Sequence, residues 1–173
     1  MNSTDPRYPV GKFEPVSSPD RTALIREIAD APGLLREAVR GLTDQQLETH
    51  YREGGWTLRQ VVHHVADSHM QAYGRCKLAV TEESPTIKPY HENLWAETPD
   101  ARRAPVETSL VLISALHERW TMLLSSLSPA DFSRTFRHPE YGTRELSWVL
   151  QLYAWHGRHH TAQITECRRR NGF

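Results

Sequence analysis

Apolar residues recur at helical spacing in four long stretches of the chain, and this pattern limits what it can fold into. The stretches cover roughly residues 19–42, 57–80, 110–127 and 143–170. No segment alternates apolar and polar residues for long enough to predict a β-sheet. A chain of 173 residues can bury one core between four amphipathic helices. The sequence therefore predicts an all-α protein, with residues 1–173 forming a single four-helix bundle.

Capping residues and prolines predict where these helices begin and break. Ser18 and Pro19 match an N-cap followed by the first helical residue, and Thr57 begins a capping box for the second helix. Thr143 is predicted to cap the last helix. Pro32 lies inside the first helix, where a proline lacks the N–H group that the helix needs. We therefore expect a kink or a break at Pro32.

The segments between the helices are rich in residues that favour turns. Residues 1–19 should run extended across the surface as an N-terminal arm. Thr43 begins a further capping box and a short helical turn. Residues 82–106 contain several prolines and predict a long crossover between the second and third long helices. Residues 138–142 predict a loop before the last helix.

The charge balance and the cysteine content argue against several classes of protein. Lys plus Arg and Asp plus Glu both number 21, which leaves no basic surplus for nucleic acid. No apolar run is long enough to cross a bilayer, and the N-terminus lacks the apolar segment of a signal peptide. Cys76 and Cys167 are expected to be buried apolar residues. These features predict a cytoplasmic protein without a nucleic-acid or membrane partner.

The chain has ten histidines, a high number for this length, and the last helix carries the most informative ones. His156 and His160 lie on its apolar stripe four residues apart, so their rings should lie one above the other. His159 lies outside the stripe and should face solvent or the edge of a neighbouring helix. Two buried imidazoles need partners for their nitrogens. They are therefore either hydrogen-bonded core histidines or ligands of one metal ion.

Histidines on the second and third helices are candidates for the same site. His63 faces away from the apolar stripe, and periodicity does not decide between His64 and His69, although taken alone it mildly favours His69. His117 and Trp120 lie on the stripe of the third helix. His69 and His117 are either hydrogen-bonded core histidines or contacts to the metal site and its pocket, and Trp120 is a candidate for the same pocket. The remaining histidines should lie in solvated loops, namely His50, His91 and His138.

Residues 56–70, Trp-Thr-Leu-Arg-Gln-Val-Val-His-His-Val-Ala-Asp-Ser-His-Met, resemble the metal-binding helix of the DinB-like superfamily. They are most similar to its YfiT-like branch, whose members are regarded as metal-dependent hydrolases and are related to bacillithiol S-transferases. The resemblance continues in the same order along the chain, at residues 8–11, 54–56, 88–90, 116–120 and 155–160. It implies the DinB-like form of four-helix bundle for the whole chain.

The resemblance also implies a set of metal ligands. In that family one histidine is the second of the pair that follows the Trp-Thr motif, and two come from the last helix, four residues apart. These positions match His64, His156 and His160. The match overrules the mild preference of periodicity for His69. It implies one divalent ion per chain, with zinc or nickel favoured among the metals that imidazole binds, and a homodimer.

Three nitrogen ligands without a fourth protein ligand are typical of a catalytic ion. Such an ion can activate water, as in a hydrolase, or a low-molecular-weight thiol, as in an S-transferase acting on small electrophiles. Hydrolytic sites usually supply a carboxylate base, but none lies between His156 and His160, and Asp67 faces away from the stripe. The sequence therefore favours thiol transfer, with a hydrolase and a non-catalytic metal-dependent binding protein as alternatives. It identifies no general base.

Overall fold

The computed structural model describes residues 5–173 and contains four long helices, as the periodicity predicts. In chain order the helices are α1 (Arg21–Val39), α2 (Asp44–Leu47), α3 (Leu58–Thr81), α4 (Glu92–Trp95), α5 (Pro99–Arg103), α6 (Val106–Ser126) and α7 (Leu146–Asn171). Helix α1 packs on α6 and α7, and α3 packs on the same two helices. The consecutive long helices α1 and α3 therefore lie across the bundle from each other.

The capping chemistry of the sequence sets two of the helix starts. Thr57 Oγ1 accepts the Gln60 backbone N–H at 3.2 Å, while Gln60 Oε1 accepts the Thr57 N–H at 2.9 Å. Thr43 begins α2 with a capping box of the same kind. The predicted start of α1 is wrong, because the N-cap is Asp20, whose carboxylate accepts a backbone N–H of the first turn, and not Ser18.

A short β-hairpin precedes α7, where the sequence predicts only a loop. The hairpin consists of β1 (Thr135–His138) and β2 (Gly142–Glu145), paired antiparallel. Thr143 therefore lies in a strand, and α7 begins after Glu145. Strands of four residues are too short to show a recognisable alternation, which is why the hairpin was not predicted. The Ile87 N–H donates to the Arg137 carbonyl at 3.0 Å and ties the crossover to β1.

The N-terminal arm lies along α7. Residues 5–19 form no helix or strand, as predicted, and the first four residues of the arm lie outside the described part of the chain. The Gly11 carbonyl accepts the indole N–H of Trp155 at 3.2 Å. The Val16 N–H donates to Gln151 Oε1 at 2.8 Å. These bonds hold the arm beside the helix that carries two of the candidate ligands.

Two apolar clusters fill the bundle, and buried histidines lie where one cluster gives way to the other. On α6 this change occurs between Ile113 and Trp120, at His117. The same change occurs within residues 66–72 of α3 and residues 154–164 of α7. These segments contain most of the candidate histidines. The fold therefore places a polar layer inside an otherwise apolar core.

Two further predictions concern burial and hydropathy. Cys76 and Cys167 are both buried free cysteines, as expected from their positions on the apolar stripes. Within the described residues, no helix combines the length and the apolar character that crossing a membrane requires.

Candidate metal centre

Three histidines from two helices bring their ring nitrogens together inside the bundle. His64 lies on α3, and His156 and His160 lie one turn apart on α7. One ring nitrogen from each lies within 4.8 Å of the other two, and the Nε2 atoms of His156 and His160 are 3.2 Å apart. His64 and His160 are buried, whereas His156 is only partly buried. The structure thus gathers the same three residues that the resemblance implies as ligands.

A chain of hydrogen bonds fixes which nitrogen of His156 faces this point. The Ile28 carbonyl can only accept, so His117 Nδ1, 2.5 Å away, carries a proton. Burial lowers the pKa of His117 to about 4 and that of His69 well below its usual value, so both rings are neutral. His117 Nε2 therefore accepts from His69 Nδ1 at 2.7 Å. His69 Nε2 in turn accepts from His156 Nδ1 at 3.0 Å, which leaves a lone pair on His156 Nε2.

Pro32 leaves the acceptor at the end of this chain, the Ile28 carbonyl, without a competing helical hydrogen bond. In a regular helix the N–H four residues later donates to the Ile28 carbonyl, but Pro32 has no N–H. Helix α1 nevertheless continues through this position, so the expected break is absent and the carbonyl is left for His117. Gly157 of α7 lets α1 approach at this level, because a Cβ atom there would lie 3.1 Å from the Ala31 Cβ atom.

Gln163 fixes the tautomer of His160, and the result is the same as for His156. Its Nδ1 lies 2.8 Å from Gln163 Oε1. The other end of the Gln163 amide defines its orientation, because Nε2 lies 3.4 Å from the Arg7 carbonyl and 3.0 Å from His159 Nε2. Gln163 Oε1 therefore accepts, and His160 Nδ1 donates. The lone pair of His160 is left on Nε2, facing the cluster.

The lone pairs of His156 and His160 consequently face each other across 3.2 Å. Burial lowers the pKa of both rings well below the usual value and lowers that of His64 to about 3, so all three are neutral near pH 7. Facing lone pairs repel unless a cation lies between them. Two nitrogens about 2.0–2.1 Å from a tetrahedral zinc ion lie about 3.3 Å apart. The residues therefore fit a metal ion.

His63, the first of the paired histidines, faces away from the cluster, as the periodicity predicts. Its Nδ1 bonds with Ser109 Oγ at 2.7 Å, and its Nε2 lies 3.1 Å from the Ala104 carbonyl. Both ring nitrogens are therefore used inside the protein. Burial lowers the pKa of His63, so it is a neutral structural residue that joins α3 to α6 and to the end of the crossover.

His69, His117 and Trp120 form a buried group behind the cluster. The two histidines satisfy both of the interpretations left open by the sequence, because they are hydrogen-bonded core residues and also connect His156 to α1. Trp120 packs edge-on against their rings, with centroid distances of 5.9 and 5.6 Å. Trp120 is fully buried, so it supports these rings and does not line the pocket.

One prediction of solvent exposure is wrong, and one alternative is excluded. His159 is 6% exposed and stacks on Trp155 with ring centroids 4.4 Å apart, so it does not face solvent, the first of the two positions left open for it. His138 is 5% exposed, because β1 carries it to the inner side of the hairpin. His50 and His91 are exposed, as expected. Periodicity could not place His138, since it lies outside the helices.

A cavity of about 360 Å³ opens onto the three histidines. Trp56, Trp155 and Asn93 contribute to its wall, and Glu92 is the one carboxylate that lines it among residues 5–173. Partial desolvation of its carboxylate raises the pKa of Glu92, with a smaller contribution from the charge of Glu140. Sequence reasoning missed Glu92 because it considered carboxylates on the histidine-bearing helices, whereas Glu92 lies on α4 in the crossover. Its position at the cavity depends on how the crossover packs against the bundle, and no sequence pattern near Glu92 indicates that packing.

The bundle and its histidine cluster define a class of helical proteins with a metal site that opens to a cavity. The family model of the DinB superfamily matches residues 27–164, so the chain belongs to the DinB superfamily. This finding confirms the resemblance and the fold that it implies.

Individual relatives agree over nearly the whole chain. A protein of Bacillus mycoides is 54% identical over 169 residues, 96% of this chain and 97% of its own length. A protein of Bacillus cereus is 53% identical with the same coverage, and both carry the provisional name of metal-dependent hydrolase. YfiT from Bacillus subtilis is described as a probable metal-dependent hydrolase with an unusual four-helix bundle topology. Its structure matches this one with a TM-score of 0.95 and 45% identity, over 98% of this chain and 99% of that one.

Proposed function

We propose that this chain is a metal-dependent hydrolase with His64, His156 and His160 as the ligands of one divalent ion, zinc or nickel. The observation that carries the proposal is the pair of facing lone pairs 3.2 Å apart, each fixed by hydrogen bonds on the far side of its ring. A cation relieves their repulsion. The names of the relatives support metal dependence and hydrolysis as the class of reaction.

The ligand set favours catalysis over a structural role. Among residues 5–173, no further histidine, cysteine or carboxylate belongs to the cluster, and the cavity lies directly against it. An ion held by His64, His156 and His160 would supply Lewis acidity, which lowers the pKa of a water or a thiol. The hydrogen bonds from His156 to His69 and from His160 to Gln163 orient the two rings.

Glu92 supports water as the nucleophile. The preference of the sequence for thiol transfer depends on the absence of a carboxylate, and the structure brings Glu92 to the wall of the cavity. Its raised pKa suits a general base, because the carboxylate then binds a proton more readily. Glu92 would accept a proton from the attacking water and transfer it to the leaving group.

Thiol S-transfer is the second candidate, and one observation favours it. The Glu92 side chain is exposed and forms no hydrogen bond with another residue of the described chain, so no contact holds it at the histidines. A thiol that ionises at a cation needs no fixed carboxylate base. A low-molecular-weight thiol would then be a cosubstrate, and a small electrophile would be the acceptor.

The two candidates predict different effects of Glu92→Gln. Protein purified without chelator or nickel resin is first analysed for its metal, then assayed with an activated ester and with a thiol plus monobromobimane. For a hydrolase, we expect Glu92→Gln to lower ester turnover by at least about 100-fold, within the usual range for general bases. Glu83→Gln is the matched control, because Glu83 is exposed and lies outside the cavity.

The outcome that contradicts hydrolysis is thiol transfer that survives Glu92→Gln while ester turnover is negligible in the unchanged protein. Metal-loaded protein that reacts with neither substrate would instead favour a non-catalytic metal-dependent binding protein. Protein that binds no metal with measurable affinity would remove the basis of all three functions.

A further inference from the structure

A second cavity lies on the other side of His156. It has a volume of about 220 Å³ and shares His156, Trp155 and Glu92 with the first cavity. Its remaining wall is formed mainly by aromatic residues and by polar residues of α3 and the hairpin, among them Arg75 and His138. A molecule that reaches the metal site could therefore extend into this space.

Two hydrogen-bond donors in this cavity lack a partner. The Nε atom of Arg75 and the hydroxyl group of Tyr90 are both buried, and neither has a partner at normal hydrogen-bond geometry within residues 5–173, although Ser68 lies close enough to the Tyr90 hydroxyl to influence its pKa. Arg75 also forms no ion pair with the described residues, although Glu92 and Glu140 line the same cavity. Buried donors without partners are rare in folded proteins, and each calls for an explanation, such as a bound water or ion or a functional role.

A third donor follows from the hydrogen bonds of His138. The backbone N–H groups of Glu140 and Tyr141 point to His138 Nδ1, at 3.1 and 3.4 Å. Burial, together with the positive charge of Arg75, lowers the pKa of His138, so the ring is neutral. Since Nδ1 accepts, the single proton lies on Nε2. His138 therefore adds a donor to the wall that already carries Arg75 and Tyr90.

Helix α3 accounts for the position of Arg75. His64 and Arg75 are 11 residues apart, about three full turns, so both lie on the same face of the helix. Ser68 lies one turn after His64 on that face and lines the same cavity as Arg75. One helix face thus leads from the histidine cluster to the unpaired guanidinium.

We propose that this second cavity binds a carboxylate group on an aromatic or apolar body, and that this is the part of the substrate that orients it at the metal. Three donors, one of them a guanidinium, match the acceptor oxygens of a carboxylate. Tyr90, Trp148 and other aromatic residues of the wall match an apolar body. That the bound molecule is a substrate depends on the proposed function, whereas its carboxylate chemistry depends on this cavity alone.

The acidic residues of the wall restrict the charge of the ligand. Glu92 and Glu140 are exposed, whereas Arg75 is half-buried and its Nε atom is fully buried, so the two carboxylates lie closer to solvent than this nitrogen. A second negative charge on the ligand would face these carboxylates and be repelled. The cavity therefore favours a monocarboxylate over a dicarboxylate.

The test is direct binding of 3-phenylpropionate to the full chain, compared with its neutral amide, 3-phenylpropionamide, by calorimetry. Both metal-free and metal-loaded protein are used, so the result does not require turnover. We expect the carboxylate to bind at least about 10-fold more tightly than the amide, and Arg75→Gln to remove this preference. Arg26→Gln is the matched control, since Arg26 is an exposed arginine on α1 outside the cavity.

A second variant keeps the test informative if Arg75→Gln does not fold. Tyr90→Phe removes one unpaired hydroxyl and should weaken 3-phenylpropionate by a few-fold and the amide by less, because a hydrogen bond to a charged acceptor is stronger than one to a neutral carbonyl. Equal binding of acid and amide to the unchanged protein, or an unchanged preference in folded Arg75→Gln, would overturn the proposal. If the preference is found but no ester or thiol reacts, the carboxylate site stands and only the proposed function fails.

Discussion

The two cavities that meet at His156 present opposite chemistry, and backbone groups account for the difference. Beside the first cavity, the Ile28 carbonyl ends a hydrogen-bond chain that leaves His156 Nε2 as an acceptor. Beside the second, the N–H groups of Glu140 and Tyr141 leave His138 Nε2 as a donor. Burial keeps both rings neutral. A neutral imidazole can therefore face a cation or an anion, depending on which backbone group binds its other nitrogen.

The largest expected effect is a loss of metal affinity when one of the nitrogens that face the histidine cluster is removed. His160→Ala removes one of the two facing lone pairs, so we expect metal affinity to fall by at least about 100-fold, beyond the range typical of residues that only orient a ligand. Helical content by circular dichroism should largely survive, because the apolar clusters on both sides are unchanged. Elemental analysis after dialysis measures the bound metal.

His63→Ala is the matched control, since His63 is a buried histidine on the partner helix whose nitrogens are bonded elsewhere. It should bind metal nearly as well as the unchanged protein. Stoichiometric metal in His160→Ala would reject the ligand set, and complete loss in His63→Ala would show that the wrong member of the pair is assigned.

A smaller effect is expected when the hydrogen-bond chain is cut at a distance from the cluster. His117→Leu leaves His69 Nδ1 without its acceptor, so His69 and His156 are free to change tautomer. We expect metal affinity, measured by competition with a chelator, to fall about 10-fold to 100-fold. His117→Gln should retain affinity within about threefold, because an amide can both donate to the Ile28 carbonyl and accept from His69.

A spectroscopic readout separates this role from simple packing. In metal-free protein, ¹⁵N chemical shifts of the histidine side chains should show His156 protonated at Nδ1, and His117→Leu should produce a mixture of tautomers. Unchanged shifts together with unchanged affinity in His117→Leu would mean that the chain does not determine the state of His156.

The sequence predicts the histidines that face the first cavity better than it predicts the hydrogen-bond donors that face the second cavity. His156 and His160 lie on a long periodic helix, and helical spacing alone shows that they share a face. Periodicity could not separate His64 from His69, because both are buried, with 5% and 0% of their surface exposed. Their hydrogen bonds distinguish them, and those depend on other helices.

Most of the hydrogen-bond donors that face the second cavity come from segments whose sequence has no helical or strand periodicity. Glu92 and Tyr90 come from the crossover, and His138 comes from a four-residue strand. Arg75 reads in the sequence as an ordinary charged residue of a helix, and only the missing partners of its guanidinium distinguish it. Such residues are recognised once long-range contacts have placed the crossover and the hairpin against α3.

The smallest expected effect comes from replacing Pro32, beside the Ile28 carbonyl that ends the hydrogen-bond chain. Pro32→Ala restores an N–H that can donate to the Ile28 carbonyl and so compete with His117. A carbonyl oxygen has two lone pairs, so it can accept both bonds, and we expect metal affinity to fall by only about threefold. The thermal stability of the metal-free protein should rise, because alanine favours a helix interior over proline by up to about 3 kcal/mol. Pro15→Ala, in the arm, controls for loss of a proline elsewhere and should change neither quantity. Opposite changes in stability and affinity would show that Pro32 serves the site at a cost to the helix, and parallel changes would contradict this.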